Sequence, residues 1–388
     1  MQENNQHLVA ELGPFASMRQ LRRSAPFRRH ESILRQLFNE PRVSLDPSAC
    51  PRLKSFVRVA AWNIECGERF DGIVHTLNTD PVLRFADVIL LSEVDSGMAR
   101  SGNHSVAFEL GREIGAHAIY GVEYLEMSAP EPSDGLHQDN TAALHGNAIL
   151  TRYQFARPRL IRLPRCENNF ESRQKRLGGR LGLIVDLEAG TMQMFAATTH
   201  LDVVNAPSCR QKQLRGLLQY LQPGSPPGIV GGDFNTHTFS RGTTMKAFRN
   251  LARLLVDPDG VTRSLLRPHR LEPALGDLEL FGFRLQGFND GLHTCRVDDA
   301  QLLESSGLPV LLKRLVRRRF GREAVSLDFR LDWLAGRRLK PLESGEIVDP
   351  LTGVPSISAR TITGLEYRGR PVSDHNPIIA DVLPAGME

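Results

Sequence analysis

An aspartate and an asparagine follow a short apolar run in the middle of the chain. Residues 228–230 predict a buried strand, and Gly231 and Gly232 then let the backbone approach a ligand closely. Asp233 and Asn235 lie two positions apart, so in an extended segment their side chains face the same side. The carboxylate can orient a water or hold a divalent cation, and the carboxamide can donate and accept hydrogen bonds. Because a strand ending in an Asx turn has the same letters, this segment alone leaves both interpretations open.

Several other apolar runs also stop at a polar side chain or start just after one. These polar residues are Asn63, Glu93, His200, Asp332, Asp374 and His375. If the corresponding strands come together in one domain, their ends can line a single pocket that is rich in carboxylates and imidazoles. Such a set of groups can hold a divalent cation and orient a water.

With these residues in view, the chain resembles the endonuclease/exonuclease/phosphatase superfamily. This superfamily includes DNase I-like nucleases, abasic-site endonucleases, sphingomyelinases, inositol polyphosphate phosphatases and deadenylases. The resemblance extends over about residues 55 to 385, and residues 146–152 are similar to the superfamily's strand Gly-Asn-Ala-Ile-Leu-Ser-Arg. It implies an α/β fold, a four-layer sandwich of two mixed β-sheets packed face to face with helices on the outside.

The resemblance also implies a metal site and a water-activating group. Glu93, the carbonyl oxygen of Asn63 and Asp374 would supply the hard oxygen ligands that Mg²⁺ prefers, and Mn²⁺ accepts the same ligands. Asp233 would activate the attacking water, and Asn235 would donate a hydrogen bond to the transition state.

Two histidines would complete the catalytic groups. His375 matches the essential histidine, and Asp332 the carboxylate that fixes its tautomer, so we expect a hydrogen bond between them. The alternative for Asp332 is an ion pair with Arg330. His200 departs from the abasic-site enzymes and is similar to the DNase I, sphingomyelinase and phosphatase branches, where a histidine contacts the scissile phosphate or assists the leaving group.

Arg180 and Asn147 are candidate substrate-binding residues. The guanidinium of Arg180 could donate two parallel hydrogen bonds to a phosphate, or it could instead pair with Glu171 at a sheet edge. Gly146 and Asn147 open the superfamily-like strand and would suit a close approach of the backbone to a ligand.

The elements that must position these groups alternate between strands and helices. Apolar runs predict strands over 57–62, 86–92, 117–126, 157–163, 179–187 and 191–200, and helical spacing predicts helices over 70–77, 104–115 and 206–221. Because several of the strands follow one another as hairpins, this order favours mixed sheets over purely parallel ones.

The chain divides into a basic extension with a linker at residues 1–54 and a catalytic domain at 55–388, with an insertion at about 300–325. Five arginines cluster before residue 30, and residues 313–319 form a second basic run. Each basic segment could bind an anionic partner, or it could be the solvated face of a helix.

Composition limits the class of protein. The 388 residues are 41% hydrophobic and 24% charged, which is ordinary for a globular protein, and the net charge of +4 is far from that of a dedicated DNA binder. The chain has no apolar run long enough to span a membrane and no secretory apolar core, which predicts a cytoplasmic protein. The five scattered cysteines favour a reducing compartment.

The sequence therefore predicts a Mg²⁺-dependent hydrolase that cleaves a phosphodiester or phosphomonoester by in-line attack of an activated water. Its substrate would be a nucleic acid, a phospholipid headgroup or an inositol phosphate, and no obligate protein partner is evident. The alternative is a binding module that keeps the DNase I-like fold without chemistry. In such a module, at least one metal ligand or the catalytic base would be replaced by a residue that cannot do its chemistry. The chain keeps a suitable residue at each of these positions.

Overall fold

A computed structural model describes residues 5–130 and 138–384, except for 167, 173, 191, 204, 222, 223, 225, 237–256 and 298–326. The predicted insertion at 300–325 and its basic run 313–319 lie outside the described residues. No helix in the described ranges is both long enough and apolar enough to cross a membrane.

The described residues contain eight α-helices and eighteen strands. The helices are α1 Gln6–Leu12, α2 Met18–Arg23, α3 Ala25–Asn39, α4 Phe70–Thr79, α5 Val106–Ile114, α6 Pro207–Tyr220, α7 Pro258–Leu266 and α8 Pro273–Leu280. The strands are β1 Arg42–Ser44, β2 Val57–Asn63, β3 Val88–Ser96, β4 His117–Glu126, β5 Leu144–Thr151, β6 Gln154–Arg162, β7 Arg176–Gly178, β8 Leu181–Ala189, β9 Met192–Thr199, β10 Gly228–Asp233, β11 Cys295–Val297, β12 Leu327–Phe329, β13 Asp332–Arg337, β14 Leu339–Pro341, β15 Arg360–Thr361, β16 Glu366–Tyr367, β17 Arg370–Pro371 and β18 Ile378–Pro384. The strands and helices predicted from the sequence are all present, with ends that differ by a few residues.

Two mixed sheets carry the fold. The larger sheet has the order β1-β4-β5-β3-β2-β18-β14, with β7 paired to β4 and β15 to β18. The smaller sheet has the order β13-β10-β9-β8-β6. Each sheet contains one parallel pair, β2 with β3 and β10 with β9, while the other pairs are antiparallel. The prediction of mixed sheets is confirmed.

The two sheets pack face to face because their strands are apolar on both sides. In β2, Val59 and Ala61 point into the core between the sheets, whereas Ala60 and Trp62 point to the opposite face of the larger sheet. That opposite face is covered by helices α1 to α5, and the outer face of the smaller sheet is covered by α6 and α8. Alternate side chains along one strand therefore belong to different cores, which builds the predicted four-layer sandwich.

The N-terminal helices pack against the larger sheet. Leu8, Leu12 and Leu21 have no exposed surface and belong to the same core as Trp62. Strand β1 then extends the sheet by pairing antiparallel with β4. The structure thus places residues 6–44 on the body of the protein, and the domain boundary at residue 54 stays a prediction.

One pair of cysteines differs from the expectation of reduced thiols. Cys166 and Cys209, 43 positions apart in the sequence, form a disulfide between the loop after β6 and helix α6. The remaining cysteines, Cys50, Cys66 and Cys295, are free.

Candidate active site

The predicted polar residues meet at one end of the two sheets. Asn63 ends β2 and Asp233 ends β10, while Asp332 begins β13 at the same edge because β13 runs antiparallel to β10. The Asn63 side chain crosses between the sheets, and its Nδ2 donates to Asp233 Oδ2 over 3.0 Å. This contact joins the end of one sheet to the end of the other.

A break in the strand register aims Glu93 at this edge. The pairing of β3 with β5 shifts between Leu91 and Val94, and Glu93 between them has a φ of 53°. A bulge of this kind turns a side chain out of the regular alternation. The Glu93 side chain is accordingly 29% exposed, while its neighbours in β3 are buried.

Asp332, His375 and Asp233 form a chain of interacting groups. Asp233 and Asp332 are directly opposite in the β10–β13 register. His375 Nδ1 lies 2.7 Å from Asp332 Oδ2, and His375 Nε2 lies 3.9 Å from Asp233 Oδ2. The expected Asp332–His375 hydrogen bond is present, whereas the alternative pairing of Asp332 with Arg330 is wrong, because Arg330 instead pairs with Asp290 at 2.8 Å.

Burial and charge perturb the protonation of this chain of groups. Burial and the negative charge of Asp332 raise the pKa of Asp233 above its ordinary value. Burial lowers the pKa of His375, but the negative groups around it, Asp332 first among them, together outweigh burial and raise this pKa well above its usual range. These surroundings therefore favour the protonated imidazole.

His200 is buried, yet neither of its ring nitrogens has a hydrogen-bond partner among the described residues. Its Nε2 lies 3.6 Å from Asp233 Oδ2 and 4.0 Å from Glu93 Oε1. Burial and the positive charge of Arg180 hold the pKa of His200 well below its ordinary value. A neutral imidazole with unsatisfied nitrogens is ready to bind a ligand, because a buried polar atom is otherwise costly to leave unpaired.

Asn235 is held by main-chain hydrogen bonds. Its Nδ2 donates to the Leu201 carbonyl over 2.9 Å, and its main-chain N–H donates to Asp233 Oδ1 over 2.8 Å. Its φ of 49° lies in the left-handed region, which asparagine tolerates better than most residues. Nδ2 carries a second hydrogen that can donate one further hydrogen bond.

A carboxylate that the sequence analysis did not identify joins the two candidate substrate-binding residues. Glu123 Oε2 accepts from Arg180 over 2.8 Å, and Glu123 Oε1 accepts from Asn147 Nδ2 over 3.2 Å. Arg180 also lies 3.4 Å from Asp202, so its alternative pairing with Glu171 is wrong. Glu123 has no exposed surface, and each of its oxygens accepts one of these donors, so the guanidinium is kept in one orientation.

His145 was also missed by the sequence analysis. Its Nδ1 lies 2.8 Å from Asp95 Oδ1, and Arg100 Nε donates to the other oxygen of Asp95 over 2.7 Å. A signal for it was available, because His145 and Asn147 occupy alternate positions of one strand and so face the same side.

The groups at this edge could hold a divalent cation. One ligand atom each from Glu93, His200 and Asp233 lie within 4.8 Å of one another. Asp374 is exposed and borders this group, since the Ser373 hydroxyl donates to the Asn63 carbonyl over 2.8 Å and lies 3.5 Å from Asp374 Oδ1. Carboxylates and carbonyls crowded at one edge are typical ligands of Mg²⁺ or Mn²⁺.

Solved structures with a similar fold are known. An endonuclease/exonuclease/phosphatase from Beutenbergia cavernae DSM 12333 is similar with a TM-score of 0.50 at 16% identity, over 85% of this chain and 72% of that one. The human Nocturnin catalytic domain with bound sulfate anion has a TM-score of 0.42 at 15% identity, over 89% of this chain and 97% of that one. D. rerio TDP2 complexed with single strand DNA product also has a TM-score of 0.42, at 16% identity, over 85% of this chain and 99% of that one. At such identities the likeness concerns the fold alone.

The sequence itself identifies the family. No curated protein sequence matches the chain. The sequence profile of the Endonuclease/Exonuclease/phosphatase family, however, matches residues 60–295, which is more than half of the chain. The family match, the two-sheet fold and the carboxylates and histidines at the sheet ends are consistent with one another. The chain belongs to the endonuclease/exonuclease/phosphatase family.

Proposed function

We propose that this protein is a Mg²⁺-dependent phosphoesterase that hydrolyses a phosphodiester or phosphomonoester. The observation that supports this most is the convergence of Asp332, His375, Asp233, His200 and Glu93, five residues from distant parts of the chain, on one edge of the sandwich. Buried carboxyl and imidazole groups with perturbed pKa values are typical of catalytic sites.

Asp233 is the group that would take the proton of the attacking water. Its raised pKa makes it a stronger base than an ordinary aspartate once it is ionised. Asn63 and the main-chain N–H of Asn235 each donate to one of its oxygens, so the carboxylate is held in a fixed direction.

His375 and His200 would bind the phosphoryl oxygens. The protonated His375 has its Nδ1–H committed to Asp332, which leaves Nε2–H free to donate to substrate. His200 offers a neutral ring whose Nε2 lies near the same oxygen of Asp233 as His375 Nε2 does. Arg180 and Asn147, oriented by Glu123, would bind the same phosphate or its neighbour.

Glu93, Asn63 and Asp374 would hold the cation. When bound, Mg²⁺ would supply positive charge that offsets the negative charge of the phosphoryl group and of the leaving oxygen. The substrate classes that we propose to test are nucleic acid, phospholipid headgroups and inositol phosphates.

A panel of phosphoesters from these three classes, assayed with Mg²⁺ and with a chelator, tests the proposal. We expect turnover of at least one substrate with Mg²⁺, loss of that turnover with chelator, and a fall of about 10²-fold or more in His375→Ala, as is typical when an acid–base group is removed. His75→Ala is the matched control, because His75 is exposed on helix α4 and its ring lies against Tyr367 rather than against a candidate site residue.

Equal turnover by wild type and His375→Ala would refute the assignment. Binding of a phosphoester without turnover, in the presence of Mg²⁺, would favour a binding module that has lost the chemistry.

A further inference from the structure

A cavity of about 290 Å³ lies beside the candidate active site, between the N-terminal helices and the ends of β6 and β7. Helices α2 and α3 form one wall, and residues 162–165 and 177–180 form the other. Arg180 lines this cavity and also bonds Glu123 and Asp202, so one guanidinium separates the cavity from the candidate active site.

The cavity is strongly basic. Five arginines line it, namely Arg22, Arg35, Arg162, Arg165 and Arg180. Glu31 is the one acidic residue among the lining residues. Glu31 pairs with Arg35 at 3.2 Å, and Arg180 is neutralised by Glu123 and Asp202. None of these ion pairs offsets the positive charge of Arg22, Arg162 or Arg165.

Arg162 donates to main-chain carbonyls, among them those of Phe38 and Gly179, and in the described part of the chain it has no carboxylate partner. Burial lowers the pKa of Arg162 to about 10, so its charge persists at neutral pH. The side chains of Arg22 and Arg165 are exposed, and neither has an ion-pair or hydrogen-bond partner among the described residues. Three guanidiniums around one cavity favour an anionic ligand.

The rest of the lining is apolar. It includes the side chains of Met18, Phe27, Leu34, Phe38, Leu163 and Leu177. The face of the Phe38 ring is covered by the Arg162 guanidinium at 5.1 Å. Apolar side chains beside arginines suit a ligand that has an apolar part as well as a negative charge.

We propose that this cavity binds a small amphiphilic anion, meaning a phosphate or carboxylate that carries a short aliphatic chain. Arg22 and Arg165 bind the anionic group at the mouth, and the apolar lining receives the chain. At about 290 Å³ the cavity is at the small end of the range of ligand pockets, which suits a short chain. The site goes beyond the proposed hydrolase, because it requires neither a metal nor bond cleavage.

Calorimetric titration of the full chain in the presence of chelator tests this site. The probes are hexyl phosphate and hexanoate, with inorganic phosphate and 1-hexanol as probes of charge alone and chain alone. We expect at least one of the two amphiphiles to bind about tenfold or more tightly than inorganic phosphate and 1-hexanol. Hexyl phosphate and hexanoate also distinguish a phosphate-bearing from a carboxylate-bearing ligand.

Three variants locate the binding. Arg22→Gln and Arg165→Gln should each weaken the amphiphile about tenfold, because each removes a charge-assisted contact. Arg23→Gln is the matched control, since Arg23 is exposed on the same helix but does not line the cavity. The proposal is wrong if neither amphiphile binds, if inorganic phosphate binds as tightly, or if Arg23→Gln weakens binding as much as the other two. Because chelator is present throughout, either result is independent of the proposed hydrolase activity.

Discussion

The pairing of Asp332 with His375 is the most sharply defined contact of the candidate site. Asp332 has no exposed surface and places Oδ2 on the imidazole, while its Oδ1 has no partner among the described residues. Its main-chain N–H donates to the Thr294 hydroxyl over 3.1 Å, which fixes the start of strand β13. These contacts indicate that the carboxylate orients His375 and favours its protonation.

Asp332→Asn tests this role of the carboxylate. The amide has nearly the same shape but no negative charge, so His375 loses both its fixed tautomer and the charge that favours its protonation. We expect kcat/KM for the best phosphoester to fall by about 10²-fold or more, with folding retained, as measured by steady-state kinetics and circular dichroism.

Asp328→Asn is the control for this substitution. Asp328 is four positions earlier and pairs with Arg296 on the surface, so its loss should leave kcat/KM within about twofold. Equal kinetics of Asp332→Asn and wild type would show that His375 does not depend on this carboxylate.

Among the secondary-structure elements, strand β10 can pack closely on β9 because of Gly232, the residue just before Asp233. Gly232 has a φ of 131°, and a Cβ atom at this position would lie 2.2 Å from the Thr199 carbonyl oxygen. The neighbouring strand β9 can approach this closely only because no side chain is present. The close approach sets the positions of Asp233, the last residue of β10, and of His200, the residue after β9.

Gly232→Ala should therefore be costly. We expect it to lower the free energy of unfolding by about 1–3 kcal/mol or more, through the disfavoured backbone conformation and the contact with Thr199, as measured by urea denaturation. The same substitution at Gly276, which is helical and has open space at its Cβ position, should instead leave the protein as stable or up to about 1 kcal/mol more stable. A similar effect at both positions would contradict the close approach of the two strands.

For the molecule as a whole, the N-terminal helices contribute to the main core. Leu12 has no exposed surface and packs in the same cluster as residues of the larger sheet. Residues 18–39 also form one wall of the basic cavity, and residues 42–44 supply strand β1. Removing this segment would expose apolar surface on the outer face of the larger sheet.

Leu12→Ala tests whether the N-terminal helices belong to the cooperative fold. We expect a loss of about 2–5 kcal/mol in the free energy of unfolding, with a lowered Tm in calorimetry, as for other buried leucines. Leu45→Ala removes the same atoms from a side chain that is 69% exposed and should change stability by no more than about 0.5 kcal/mol. Equal Tm values for the two variants would mean that the helices unfold independently.

Asp349 connects distant parts of the chain and makes the fold sensitive to acid. Its Oδ2 accepts from the main-chain N–H groups of Lys54 and Ser55, and its Oδ1 accepts from that of Thr352. Burial opposes the charge, but these hydrogen bonds outweigh it and lower the pKa of Asp349 from 3.8 to about 2. An acid whose pKa is lowered in the folded state stabilises that state fully above its unfolded pKa, and the stabilisation is lost as the pH falls from about 3.8 through about 2.

Asp349→Asn should reveal this dependence. At pH 6 we expect the variant to be about 1–3 kcal/mol less stable, because an amide cannot accept all of these hydrogen bonds. Below pH 4 the difference from wild type should shrink, as measured by urea denaturation at several pH values. Glu366→Gln, at an exposed position, should match wild type at every pH. A difference that stays constant from pH 6 to pH 2 would show that the charge of Asp349 is not involved.

Much of the architecture followed from local patterns. The apolar runs at 57–62 and 86–92 and the helical spacing at 206–221 each identified an element, because hydrophobic periodicity reflects which side chains are buried. Polar residues at the ends of those runs, such as Asn63 and Asp233, pointed to one edge of the fold. The Asp332–His375 hydrogen bond was anticipated from the resemblance to a known family rather than from spacing.

Other features depend on pairings between distant strands. In the sequence, Glu123 is an ordinary residue of strand β4. Asn147 and Arg180 contact it only because β4 is aligned with β5 and with residues 178–180. The Cys166–Cys209 disulfide likewise requires helix α6 to pack beside the loop after β6. Neither contact can be predicted from the hydrophobic periodicity of a single segment.

By itself, the order of residues determined which segments form strands and helices, which of their faces are apolar, and which polar groups stand at the strand ends. These properties depend on neighbours a few positions away. The tertiary structure decided the orientation of Arg180, the bulge that aims Glu93, and the basic cavity under the N-terminal helices. Those depend on the register and packing of elements that are tens to hundreds of residues apart, where a shift of one position would turn each side chain to the opposite face.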